Sequence, residues 1–137
     1  MRNTAKNAKT ALSFAAMVAG ASLMSSVAFA GDVADGYKLI TDKKKGNCVA
    51  CHAIAAPDGK NNQAGNAGPP LHILDAAGEK SVMPGYMKMR FPNRADLYNQ
   101  IYDATKKNEN TLMPPFGTFN ILSEAEINSI MDYLYSI

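Results

Sequence analysis

The chain is sparing with the residues that staple and metallate proteins: it has two cysteines and two histidines in 137 residues. A zinc site built on Cys48 and Cys51 needs two more ligands at sensible spacing, and beyond the adjacent His52 only His72 is on offer. A structural disulfide is poorly served too, because two residues between the cysteines suit redox or attachment chemistry better than stapling. Charge of one sign is also missing. There are 14 basic and 12 acidic residues, and Arg2, Lys6 and Lys9 open the chain with no acid among the first thirty. Without that segment 11 basic residues face 12 acidic ones, which supports neither a nucleic-acid partner nor a general membrane surface. A second long apolar run is absent, and so are strand alternation and any internal repeat.

The one apolar run, Ala11 to about Val27, follows the basic start and precedes Ala28-Phe29-Ala30. Charge, length and the small-x-small site together describe a secretory signal peptide, residues 1–30, cleaved after Ala30. The run is interrupted by Ser and Gly and falls short of the ~20 residues a spanning helix needs. Residues 31–137 then form one domain, exported, with no membrane span, and small enough that a buried prosthetic group would add substantially to its core.

Both cysteines lie in Cys48-Val49-Ala50-Cys51-His52. C-x-x-C-H is the attachment signature of c-type haem, in which two thiols add to the vinyl groups and the next imidazole lies under the iron. A thioredoxin-type pair opens a helix after a strand; nothing before Cys48 reads as a strand, and His52 would be left unexplained. Export agrees with haem, since c-type haem is attached outside the cytoplasm. A distal methionine is the usual electron-transfer partner of a proximal histidine. Of Met83, Met87, Met89, Met113 and Met131, Met113 stands before Pro114-Pro115-Phe116-Gly117, where two prolines stiffen an extended loop. Met83 also precedes a proline and is the rival, although it follows His52 closely. Met131 falls on the apolar side of a helix and reads as core. His72, in Gly68-Pro69-Pro70-Leu71-His72, reads as a partly exposed residue that is not a ligand.

The pattern predicts an all-α fold of few helices wrapped around one haem, of the small class I cytochrome c type. Val33 to about Lys45 is a short amphipathic helix, and Asn47 to Met89 reads mostly as loop. Asn93 caps a helix from Arg94 to about Lys107. Ser123 and Glu126 form a capping box for a last helix, with Ile127, Ile130, Met131 and Leu134 facing the first. Lys43, Lys44 and Lys45 read either as a docking patch beside the haem edge or as a solvated helix C-terminus, where the dipole favours cations.

Longer blocks carry a narrower likeness. Gly46 to His52, Gly65-Asn66-Ala67-Gly68-Pro69-Pro70-Leu71, Arg90-Phe91-Pro92-Asn93-Arg94-Ala95, Gln100 to Thr105, Met113 to Gly117 and Ile121 to Ile127 together closely resemble the SoxX family. These are the monohaem cytochrome c subunits of the SoxAX thiosulfate-oxidising complex; the segment from Gly78 to Met89 matches no block. The resemblance implies one haem c on Cys48 and Cys51, with iron ligated by His52 and Met113. Gly68-Pro69-Pro70-Leu71 also resembles the Gly-Pro-x-Leu loop of small cytochromes c, which implies a hydrogen bond from His52 to the Pro69 carbonyl. The SoxX resemblance further implies a periplasmic complex with a SoxA-type cytochrome subunit, transient contact with the SoxYZ carrier, and an electron-accepting cytochrome downstream. In that complex, an L-cysteine S-thiosulfotransferase, this subunit would be the non-catalytic electron outlet. The bare haem motif is equally compatible with a free-standing periplasmic carrier. A haem sensor or peroxidase with open iron is disfavoured by Met113.

Overall fold

The two ends of the described chain meet. The computed structural model describes residues 33–59 and 62–137, so the expected signal peptide lies outside the described residues. Helix α4 (Glu124–Ser136) forms because both halves of the capping box are made: Ser123 Oγ accepts from the Glu126 N–H, and Glu126 Oε2 accepts from the Ser123 N–H at 2.8 Å. Such a cap contributes about 0.5–2 kcal/mol. Ile127, Ile130, Met131 and Leu134 then recur on one face, each at most 2% exposed. Burying side chains of this kind stabilises by roughly 1.5–3 kcal/mol apiece. Helix α1 (Val33–Thr41) crosses this face with Gly36 at the contact, where a Cβ would sit 2.2 Å from the Ser129 carbonyl oxygen. The Tyr37 and Tyr133 rings lie 5.1 Å apart beside it.

Helix α1 stops at Thr41, short of the predicted Lys45. Asp42 ends it, taking the Lys44 N–H on its carboxylate and the Lys45 and Asn47 N–H groups on its carbonyl. The lysine run therefore occupies a turn rather than a helix C-terminus. Lys45 reaches Glu126 of the capping box at 2.7 Å and ties that turn to α4. Helix α3 (Arg94–Tyr102) begins as predicted, with Asn93 Oδ1 accepting from the Asp96 N–H. It also ends early, because Asp103 takes the Thr105 N–H on its own carboxylate and turns the chain into a 3-10 turn, Ala104–Lys106. Local side-chain acceptors of this kind compete with the helical ladder.

The stretch predicted as mostly loop holds short elements. Strands β1 (Ala53–Ala55) and β2 (Asn62–Ala64) pair antiparallel with Ile54 opposite Gln63, and β3 (Ile73–Leu74) pairs with β4 (Ser81–Val82). Helix α2 (Gly85–Arg90) follows Pro84 and buries Met87. Elements of two to six residues are too short for a periodicity to register, and tertiary contacts decide them. Among the described residues the architecture is four helices with almost no strand, and no helix there is long and apolar enough to cross a membrane.

Candidate haem site

The chain from Asn47 to His52 coils into one tight turn. Asn47 sits in the left-handed region (φ 43°), a conformation asparagine tolerates. The Cys51 and His52 N–H groups then both donate to the Cys48 carbonyl, at 3.1 and 2.9 Å. Spaced three apart on that turn, the two thiols share a face. Burial pushes the Cys48 thiol up to about 12 from its ordinary 9.0. A disulfide-exchange pair requires the opposite, a lowered thiol that ionises readily.

His52 is oriented from behind. Its Nδ1 lies 2.7 Å from the Pro69 carbonyl oxygen. A carbonyl only accepts, so Nδ1 carries the proton and Nε2 keeps its lone pair, the form in which imidazole binds a metal. Gly68 makes the approach possible: a Cβ there would sit 2.4 Å from His52 Cε1. Gly65 serves the same loop, since its Cβ would lie 2.4 Å from the His52 backbone nitrogen.

Cys48, Cys51, His52 and Met113 all line one cavity of about 850 Å³, at the upper end of the size of cofactor sites. Its walls come from every helix and are mainly apolar, with Ile40, Leu71, Leu97, Ile101, Phe116, Ile130 and Leu134 among them. Among the described residues the charged ones on the wall are Lys45 and Arg90, and no carboxylate lines it. Thiols paired on one turn, an imidazole with its free nitrogen defined, an apolar slot and two cations for a pair of propionates fit a haem.

Met113 also lines this cavity and is held by its loop. Its N–H donates to Thr111 Oγ1 at 3.2 Å, and the Gly117 N–H donates to the Tyr102 carbonyl at 2.9 Å. Thr118 Oγ1 donates to Asp103 Oδ2, fastening the loop to the end of α3. The hydrogen bonds from Thr105 and Thr118 hold the Asp103 carboxyl below its ordinary value. Met83, the rival, is not among the residues lining this cavity and instead lines a neighbouring cleft with Phe91 and Tyr135. Met131 is core, at 1% exposure.

His72 departs from the expected partial exposure: it is 1% exposed and does not line the cavity. The Ala55 N–H donates to its Nδ1 at 3.4 Å and its Nε2–H donates to the Leu134 carbonyl at 3.2 Å. It thus joins β1 to α4, as does the Tyr133 hydroxyl donating to the Ala55 carbonyl. Burial lowers the His72 pKa from 6.5.

Residues that the sequence reading did not single out also reach the cavity. Met87 comes from α2, in the segment that matched no block, and Arg90 ends that helix and opens the next block. Gln100 comes from α3, where Leu97 and Ile101 are buried. A polar side chain on a buried stripe was its legible signal.

Comparison with known families agrees with this geometry: the family model described as "Cytochrome C oxidase, cbb3-type, subunit III" matches residues 31–134. No curated protein matches the chain. The chain belongs to that cytochrome c family, and is a c-type cytochrome domain of small, mostly helical fold that carries covalent haem c for electron transfer.

Proposed function

We propose that the chain is a His52/Met113-ligated monohaem cytochrome that serves as the electron-transfer subunit of a SoxAX-type thiosulfate-conjugating complex. The observation that carries the electron-transfer role is one apolar cavity lined by Cys48, Cys51, His52 and Met113 together, with the His52 tautomer set by Pro69 so that Nε2 keeps its lone pair. Bound there through Cys48 and Cys51, a haem would supply a one-electron site. Arg90 and Lys45 are the side chains suited to its propionates. A thioether ligand favours the ferrous form and raises the potential, which suits an acceptor.

The choice of complex rests on the SoxX-like blocks and on cysteine arithmetic. Joining thiosulfate to a carrier cysteine forms a sulfur–sulfur bond and releases two electrons, which a single iron passes on one at a time. Sulfur chemistry of that kind needs a thiol or another activating ligand. Both cysteines of this sequence are spent on haem attachment, so the conjugation belongs to the SoxA-type partner. Electrons leave through this chain toward another cytochrome, in the periplasm to which the predicted signal peptide leads. The second reading, a free-standing periplasmic carrier, is equally compatible with the family match, which requires nothing beyond a c-type electron-transfer domain.

Purification from the native periplasm separates the two. Co-elution with a second cytochrome subunit, and a requirement for this chain in thiosulfate conjugation to a carrier cysteine, support the complex. Elution alone, with conjugation unaffected by its removal, leaves the free carrier.

A further inference from the structure

Gln100 spends an amide where an apolar side chain would pack at less cost. It projects from the last turn of α3 between the buried Leu97 and Ile101 and lines the haem cavity. Its Nε2 lies 3.7 Å from the Met113 sulfur, while its Oε1 is buried with no donor in reach among the described residues. An unsatisfied buried acceptor is destabilising, so packing alone does not account for glutamine here. The sulfur contact does. A thioether is only an acceptor, so it attracts the amide N–H and repels the amide oxygen, and that selects the orientation seen.

We infer that Gln100 is a positioning residue for the distal ligand: its N–H occupies one sulfur lone pair of Met113 and leaves the other for iron. Two consequences follow. The thioether is held in one configuration instead of inverting between two. Electron density is drawn from the sulfur, which then stabilises ferric iron less, so the potential is higher with Gln100 in place. The inference rests on Met113 being the ligand.

The test uses the haem-loaded protein at a pH where a carboxyl at this position is ionised, with Gln100→Leu, which removes both polar ends, and Gln100→Glu, which keeps the shape and as the carboxylate has no donor. Both should lower the reduction potential, Glu more than Leu because a carboxylate favours ferric iron. Added imidazole should displace Met113 about two- to ten-fold more readily, the worth of one lost hydrogen bond. Unchanged potential and imidazole affinity in both variants would overturn the inference. Should neither variant fold, the unmodified ferrous protein decides: a slowly exchanging Gln100 amide proton with a cross-relaxation peak to the Met113 methyl supports it, and rapid exchange without that peak refutes it. A wild-type ferric spectrum lacking the weak long-wavelength sulfur–iron band would instead remove the Met113 reading beneath it.

Discussion

The two walls of the cavity are built on different principles. The His52 wall starts from a local turn: Cys48 to His52 coil on one carbonyl, and a loop through Gly68 and Pro69 braces the imidazole at 2.7 Å from 17 residues away. The Met113 wall has no such turn; its loop is held by hydrogen bonds reaching back 13 to 15 residues. Its loop hangs on the Tyr102 carbonyl, the Asp103 carboxylate and the Gln100 amide, all on or beside the end of α3. A covalent turn holds its cofactor whatever the rest of the domain does, whereas the distal loop is only as firm as its tertiary fastenings. Local opening free energies differ across a domain in this way, and the distal side is where ligand loss should begin.

Breaking the distal wall should produce the largest effect. Met113→Ala should abolish the weak long-wavelength absorption of sulfur on ferric haem and lower the potential, while the haem stays covalently attached. Met83→Leu should leave the band intact, since Met83 lines a different cleft. Optical spectra with a redox titration decide; a band that survives Met113→Ala and is lost on replacing Met87 would move the ligand to α2. On the proximal wall, Gly68→Ala drives a methyl into the imidazole. Overpacking of this kind costs about 1–3 kcal/mol, to be read from denaturant unfolding together with a Soret shift. Wild-type behaviour there would mean that the loop yields and that the brace on His52 is soft.

The smallest effect sharpens the contrast between the two histidines. His52 carries its proton on Nδ1 and faces the cavity; His72 carries it on Nε2 and is locked between β1 and α4. Burial lowers the His72 pKa from 6.5, so the fold favours the neutral ring and the unfolded chain protonates first. The stability it contributes is complete above pH 6.5 and is lost as pH falls below that value toward the folded pKa. One proton can tilt stability by up to about 1.4 kcal/mol per pH unit. Replacing His72 with Gln should therefore destabilise most above pH 6.5, with the gap to wild type narrowing below it. A gap independent of pH in thermal melts would show that His72 does not titrate on unfolding.

What the sequence made legible was local. Cys48 to His52, the Asn93 cap and the Ser123–Glu126 capping box each act through hydrogen bonds within a few residues, and all appear where predicted. Helix ends were misjudged at Thr41 and Tyr102 because Asp42 and Asp103 redirect the chain with their own side chains. Helix α2 and the two hairpins went unseen, being too short to carry a period. His72 looked like a loop residue because the two backbone groups that bury it, at Ala55 and Leu134, are remote in sequence.

By itself the sequence determined that this protein carries a covalent c-type haem, because two thiols and an imidazole within one turn meet the cofactor without help from the rest of the chain. Both cysteines of the sequence lie within that turn. Only the tertiary structure decided that Met113 and not Met83 stands on the haem cavity, that Gln100 reaches the Met113 sulfur, and that His72 is a buried strut. Those outcomes depend on side chains that reach across loops and between elements, to α3 for Met113 and to β1 and α4 for His72, and no pattern along the chain encodes those distances.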